Sequence, residues 1–192
     1  MQKSESNLKL GVILFIITAL AGLFLGGVYQ ITKEPIAKQK IKKNNEAMIA
    51  VLPDADNFAV KEIELPEGTL VTEVNEGKKG DEVQGYAIKL QNEGYGGTID
   101  LMVGISKDGV ITGMTILSHT ETPGLGANAT KDEFKDQYKG ISTEKALEVV
   151  KTEASADNQI QALTGATITS NFVTGAVNSA VDLYNNELKG GN

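Results

Sequence analysis

A cluster of hydroxyl side chains directly precedes the last long segment with helical apolar spacing. Residues 164–170 read TGATITS, and the hydroxyls belong to Thr164, Thr167, Thr169 and Ser170. The N-terminus of a helix presents free N–H groups and the positive end of the helix dipole, so it favours a bound anion. Gly165 lets a ligand approach the backbone closely. The pattern predicts an anion site; the alternative, N-capping by Thr169 or Ser170, explains only one of the hydroxyls.

Two segments that contain glycine are candidates to contact such a ligand. Residues 119–128 read HTETPGLGAN and lie between a predicted strand and a predicted helix, where loops often build sites. The glycines on either side of Leu125 would let a planar ligand lie on that side chain, although a simple Pro–Gly turn is the alternative. Residues 94–97 read GYGG and form either a turn or a close approach of backbone to ligand. We expect His119 to be structural or exposed.

The composition excludes several kinds of chemistry. The chain has no Cys, which rules out disulfides, thiolate nucleophiles and thiolate-bound metal clusters, and its single His rules out multi-histidine metal sites. All 18 cationic residues are Lys, so there is no planar guanidinium to clamp a phosphate. A phosphorylated ligand must therefore be held by backbone N–H groups, hydroxyls, Lys or a covalent bond. The net charge of −7 argues against nucleic acid as a general partner.

A long uncharged stretch near the N-terminus predicts a membrane anchor. No charged residue lies between Lys9 and Lys33, and the apolar run at residues 10–29 has the length of about 20 residues that a helix needs to cross a bilayer. The run is longer than the apolar region of a signal peptide, and no small-residue cleavage site follows it. We therefore predict a short tail over residues 1–9 and a transmembrane helix over residues 10–30.

The charges beyond the anchor fall into two zones. Residues 31–43 carry a net charge of +4, whereas residues 44–192 hold 11 Lys against 23 acidic residues, a net charge of −12. An amphipathic neck helix is predicted over residues 31–53, where Pro53 stops it. Counting Lys places the body in the cytoplasm, but Lys can lie against lipid headgroups on either side of a membrane. The residues alone leave the topology open.

The body over residues 54–192 is predicted to be an α+β domain with a mostly antiparallel sheet and packed helices. Apolar and alternating patterns predict strands over residues 69–75, 83–90, 98–106 and 110–117. The pair Asp108–Gly109 predicts a hairpin between the last two strands. Residues 54–68 and 76–81 are predicted connections, and residues 146–151 are ambiguous. Helices are predicted over residues 128–138 and 171–188.

The motifs resemble a known family. Residues 94–126 read GYGGTIDLMVGISKDGVITGMTILSHTETPGLG, and residues 163–177 read LTGATITSNFVTGAV. Together with the single anchor, they are similar to the covalent-flavin subunit of Rnf electron-transport complexes, which is their G subunit. That family is in turn similar to the C subunit of the sodium-pumping NADH:quinone oxidoreductase. Paired ETPGLG and [S/T]GAT motifs are specific, whereas either motif alone would be weak.

The resemblance implies a cofactor and the residues that hold it. FMN would be attached through its phosphate to Thr167 by a separate flavin transferase that uses FAD on the extracytoplasmic side, which places the body outside. The family usually has an acid at the position of Gln161. The other residues implied at the cofactor are Thr164, Gly165, Ala166, Thr169, Ser170, Glu121, Thr122, Leu125, Gly126 and Tyr95.

The resemblance also implies a function and partners. The chain would carry electrons in an Rnf-type ferredoxin:NAD⁺ oxidoreductase that moves Na⁺ or H⁺, beside the A, D and E membrane subunits and the B and C peripheral subunits. It would itself bind no NAD, since no G-x-G-x-x-G opens a helix after a strand. Two alternatives stay open: the covalent-FMN subunit of a Na⁺-pumping NADH:quinone reductase, and a non-redox anion-binding module anchored at the cell surface.

Overall fold

The computed structural model of the protein describes residues 2–66 and 68–190, with side chains described from residue 8 onward. The chain divides into two compact units, Met1–Lys43 and Asn44–Asn192. The helices are α1 (Gln2–Val51), α2 (Asp132–Lys135) and α3 (Thr167–Leu183), with 3-10 turns at Gly126–Thr130 and Asp136–Tyr138 and a π-helical turn at Tyr184–Leu188. The strands are β1 (Asn57–Val60), β2 (Val71–Lys79), β3 (Glu82–Glu93), β4 (Thr98–Ser106), β5 (Ile111–His119), β6 (Glu148–Val150) and β7 (Gln159–Gln161).

Helix α1 contains the predicted anchor. Its segment Leu8–Val51 includes an 18-residue window with a mean hydropathy of 2.5, and none of that window is buried in the protein. The helix is long and apolar enough to cross a membrane, as the sequence predicts. Pro35 lies inside it without ending it. The helix ends two residues before Pro53, in keeping with the restriction that proline places on the residue before it.

The body is built on a five-stranded sheet in the order β1-β2-β3-β4-β5. All four pairings are antiparallel, and short turns join β2 to β3, β3 to β4 and β4 to β5. The hairpin predicted at Asp108–Gly109 is confirmed, and Gly109 supplies the positive φ of 77° that this turn requires. A separate pair, β6 and β7, is parallel. The predicted α+β class with a mostly antiparallel sheet is therefore confirmed.

The sheet is covered on both faces. Along β4, Leu101, Val103 and Ile105 belong to the main core with Val177 and Ala180 of α3. The alternate residue of β4, Met102, lies on the opposite face in a second cluster with Ala47 and Val51 of α1 and Ala87 of β3. Successive side chains of a strand point to opposite faces, so this alternation explains why β4 is buried nearly throughout.

Several predicted boundaries are wrong. The connection predicted at residues 54–68 contains β1. Strand β2 continues to Lys79 and β3 begins at Glu82, so the connection predicted at residues 76–81 narrows to a turn at Gly80–Asp81. Among the ambiguous residues 146–151, Glu148–Val150 form β6, whose partner β7 was not predicted. The helix predicted over residues 128–138 is divided among two 3-10 turns and α2. Strands of three or four residues are too short for a periodic pattern, and pairing with neighbours defines them instead.

Tyr138 is predicted to stabilise the core through its hydroxyl. The side chain is fully buried, and its hydroxyl lies 2.8 Å from the hydroxyl of Thr174 on α3. Tyr138→Phe leaves that buried hydroxyl without its partner, so we expect a loss of about 1–2 kcal/mol in the free energy of unfolding at neutral pH. Urea unfolding of the detergent-solubilised chain, followed by circular dichroism, measures it. An unchanged free energy would contradict the role.

The same variant is predicted to change the alkaline pH dependence. Burial raises the pKa of the Tyr138 phenol above its ordinary value of 10.0. Above that pH the unfolded chain ionises at this residue and the folded chain does not, so stability falls as pH rises, by up to about 1.4 kcal/mol per pH unit. Tyr138→Phe removes this contribution. We expect a shallower loss of stability above pH 10.0 in the variant, and parallel curves would contradict the assignment.

Candidate functional site

The strand register brings two loops to one end of the sheet. Glu93 of β3 pairs with Thr98 of β4, and Ile99 pairs with His119 of β5. The turn at residues 94–97 and the loop after His119 therefore leave the sheet at the same end. Thr120 links them, since its hydroxyl donates a hydrogen bond of 2.9 Å to the carbonyl of Gly96. The two glycine-containing segments that the sequence singled out are neighbours in the fold.

Glu121 joins these loops to the start of α3. Its carboxylate accepts a hydrogen bond of 3.0 Å from the backbone N–H of Gly96 and one of 2.7 Å from the hydroxyl of Thr169. A Cβ atom at Gly126 would meet Oε2 of Glu121 and lie 2.6 Å from Oγ1 of Thr169. Only glycine fits where the backbone passes this close to the carboxylate. The hydrogen bond between Thr169 and Glu121 connects residues that are 48 positions apart in the chain.

Helix α3 begins without a capping side chain. It starts at Thr167, and its N-cap residue is Ala166, which forms no side-chain hydrogen bond to the helix. Capping by Thr169 or Ser170 is therefore wrong, and so is the predicted start at residue 171. Gly165, with a φ of 76°, turns the chain into the helix. The first N–H groups of a helix have no partner within the helix, so this start can accept an anion.

A cavity of about 430 Å³ lies where the loops and the helix meet. Its size falls within the range of roughly 300–1,000 Å³ that is common for small-molecule sites. The residues around it are Tyr95, Glu121, Thr122, Leu125, Gly126, Gly165, Ala166, Thr167, Ile168 and Thr169. The side chains of Tyr95, Leu125 and Ile168 are exposed, which leaves apolar surface for a ligand to cover.

The structure separates the sequence-predicted site residues into two groups. Nine of the eleven line the cavity, whereas Thr164 and Ser170 do not. Thr164 is exposed on the protein surface. Ser170 is buried and holds the loop in place, because its hydroxyl accepts the N–H of Leu163 and donates to the carbonyl of Ala166, both at 3.0 Å.

Two other residues near the cavity, Ile168 and His119, were not among the predicted cofactor contacts. Ile168 lines the cavity but was not predicted. The signal that could have found it is its place as an apolar residue between two threonines of the hydroxyl-rich motif. His119 is half-buried, and its Nδ1 accepts the backbone N–H of Glu121 at 3.2 Å. The histidine therefore supports the Glu121 backbone, which fits the structural role predicted for it.

The residues present fit FMN. The cavity offers apolar side chains for a planar ring system, and it offers the Thr167 hydroxyl together with the start of α3 for a phosphate. Among the residues that the structure describes, none of those around the cavity is a Lys. Neutralisation of the phosphate charge would therefore come from backbone N–H groups and hydroxyls, as the absence of Arg in the sequence requires.

Comparisons with known proteins agree with an FMN site. Residues 94–182 match the model of the FMN-binding domain family. The G subunit of the Na(+)-translocating ferredoxin:NAD(+) oxidoreductase complex of Acetobacterium woodii is 40% identical, over 94% of this chain and 93% of the relative. The G subunit of the proton-translocating ferredoxin:NAD(+) oxidoreductase complex of Clostridium ljungdahlii is 38% identical, over 85% of this chain and 83% of the relative.

A solved structure shows the same fold. The crystal structure of the C subunit of the Na(+)-translocating NADH-quinone reductase from Parabacteroides distasonis aligns with a TM-score of 0.63 and 18% identity, over 81% of this chain and 96% of that chain. Fold and site together define an FMN-binding domain. More particularly, the chain belongs to the family of G subunits of ion-translocating ferredoxin:NAD(+) oxidoreductase complexes. The family resemblance read from the sequence is confirmed.

Proposed function

We propose that this protein is a membrane-anchored flavoprotein that carries electrons within an ion-translocating ferredoxin:NAD⁺ oxidoreductase, with FMN bound covalently through its phosphate to Thr167. When bound, FMN supplies a ring that accepts and donates electrons, and the protein holds and tunes it. The identity to G subunits over most of both chains supports the assignment to such a complex. The match to the FMN-binding domain family supports the cofactor.

The choice of Thr167 as the attachment site is supported by the burial and hydrogen bonding of the four candidate hydroxyls. Those of Thr169 and Ser170 are buried and engaged in hydrogen bonds, and Thr164 lies outside the cavity. Thr167 is half-buried, lines the cavity and, among the described residues, makes no hydrogen bond through its hydroxyl. It is therefore the hydroxyl of the four that is both placed at the cavity and free to react.

In the attachment reaction, FAD donates its FMN half to Thr167. The Thr167 oxygen forms a bond to the phosphorus of the FMN half while the pyrophosphate bond of FAD breaks, so AMP leaves and the threonine proton is released. The resulting phosphodiester keeps one negative charge. The start of α3, with its free N–H groups and no side chain at the cap, stabilises that charge.

The remaining features follow from this assignment. The apolar helix α1 anchors the protein in the membrane. We place the body on the extracytoplasmic side, where the flavin transferase of this family works, and against the other subunits of the complex. This placement takes precedence over the Lys count of the neck, because Lys can lie against headgroups on either side of a membrane.

The test is the flavin content of the full chain made together with an active flavin transferase. We expect a yellow protein whose band on a denaturing gel fluoresces under ultraviolet light, and an intact mass with one FMN-sized adduct. A second known substrate of the transferase, expressed in the same cells, shows that the enzyme is active. A colourless chain with no adduct, beside a flavinylated control substrate, would contradict the proposed function.

A further inference from the structure

The wall of the cavity contains the buried carboxylate of Glu121, which has no part in the attachment chemistry described above. Glu121 is 5% exposed and lines the cavity. The two hydrogen bonds that it accepts fall on different oxygens, Gly96 N–H on Oε1 and the Thr169 hydroxyl on Oε2. Both oxygens therefore act as acceptors, as those of an ionised carboxylate do.

No cation balances this charge in the part of the chain that the structure describes. Within residues 8–66 and 68–190, no ion pair joins Glu121 to a Lys or His side chain. No Lys in this described part of the chain lines the cavity, and the sequence contains no Arg. A buried carboxylate is costly unless it is paired or hydrogen-bonded, and here hydrogen bonds alone stabilise it. The cavity wall therefore carries an uncompensated negative charge.

We propose that the Glu121 carboxylate sets the reduction potential of the flavin, holding it below the value that the same cavity would give without this charge. The inference rests on the proposed function, since it concerns the cofactor at Thr167. A reduced mediator passes one electron to the flavin; no bond breaks, and the ring gains one negative charge unless a proton follows. A like charge in the wall, screened less than in water, opposes that gain.

The expected magnitude follows from the burial of the charge. Removing an uncompensated buried charge beside a redox centre is expected to change the one-electron reduction equilibrium by at least about tenfold. A tenfold change corresponds to about 59 mV for one electron. The potential of the flavin should therefore rise by about that amount or more when Glu121 becomes neutral.

Glu121→Gln removes the charge while keeping the contacts. The amide oxygen of glutamine can accept the Gly96 N–H, and its NH₂ group can donate to the Thr169 hydroxyl, since a threonine hydroxyl accepts as well as donates. Thr169→Val is the matched control, because it removes the hydrogen bond to Oε2 and keeps the carboxylate. A role that is only structural would make both variants behave alike.

The experiment compares the potentials of the flavinylated full chains by spectroelectrochemical titration with mediators and dithionite. We expect Glu121→Gln to raise the potential by about 59 mV or more, and Thr169→Val to raise it by less than half as much. Flavinylated Glu121→Gln at the wild-type potential overturns the proposal. So does a folded Glu121→Gln chain without flavin, which would assign Glu121 to attachment instead.

Separate measurements keep the test decisive if Glu121→Gln does not fold or if the wild-type chain carries no flavin. If Glu121→Gln does not fold, Glu121→Asp replaces it, because the shorter side chain withdraws the charge from the cavity by one methylene. A potential that rises with this withdrawal supports the proposal, and an unchanged potential overturns it. A wild-type chain without flavin, made beside an active transferase, contradicts the proposed function, whereas a flavinylated chain with an insensitive potential contradicts only this inference.

Discussion

Replacing Thr167 with alanine is expected to leave the chain folded and entirely without covalently bound flavin. Thr167 is the first residue of α3, and its hydroxyl makes no hydrogen bond among the described residues. Its removal should therefore change the free energy of unfolding by no more than about 0.5 kcal/mol, as for most substitutions that break no contact. Intact mass and fluorescence of the denatured gel band measure the flavin, and thermal unfolding measures the fold.

Two variants bracket this prediction. Thr164→Ala removes a hydroxyl of the same motif that is exposed and lies outside the cavity, so the flavin content should stay at the wild-type level. Thr167→Ser keeps a hydroxyl at the attachment position and should retain the adduct. An adduct of unchanged size in Thr167→Ala, or its loss in Thr164→Ala, would show that the attachment site has been assigned to the wrong residue.

Gly126→Ala is expected to disrupt the cavity itself. The added Cβ would meet Oε2 of Glu121 and lie 2.6 Å from Oγ1 of Thr169, so the hydrogen bond between these groups cannot keep its geometry. Overpacking of this kind costs about 1–3 kcal/mol. The start of α3 must shift with Thr169, and a shift of about 1 Å in a reacting group can cost about 100-fold in rate. We expect flavin attachment to slow by at least about tenfold.

Gly175→Ala provides the control for this substitution. Gly175 is an exposed position within α3, and a Cβ there meets nothing within 4 Å. Glycine in a helix interior is less stable than alanine, so this variant should gain about 0.5–1 kcal/mol and keep full flavin attachment. Time courses of adduct formation with purified transferase and FAD compare the two variants. Equal rates for Gly126→Ala and the wild type would refute the close contact.

The parts of the fold that the sequence predicts well are those with long, regular patterns. The predicted strand at residues 98–106 coincides with β4, and the apolar stripe of the last helix is buried at Val173, Val177 and Val181. The predicted start of that helix is wrong. Hydroxyl residues are typical N-caps, whereas Thr169 and Ser170 here belong to the first turn of α3. Local preference and tertiary contact conflict at this point, and the contact of Thr169 with Glu121 prevails.

The site follows the same division. The two motifs can be identified in the sequence, and their occurrence together predicts FMN through the resemblance to a known family. The hydrogen bond from Thr169 to Glu121 spans 48 positions, and its existence depends on the register that brings His119 beside Ile99. No local pattern encodes that register. The family resemblance alone assigns the attachment to Thr167. Only the three-dimensional structure shows that the hydroxyls of Thr169 and Ser170 are already engaged in hydrogen bonds.

The end of α1 determines where the protein can be cut to make a water-soluble fragment. Ala47 and Val51 cover Ala87 and Met102 on the second face of the sheet, and the Thr112 hydroxyl donates to the carbonyl of Val51. A Cβ at Gly104 would meet that carbonyl, which shows how closely the helix backbone approaches β4. A fragment that begins after Pro53 would expose this patch to solvent and invite aggregation. One that begins at Asn44 removes the lipid-facing stretch and keeps the sheet covered.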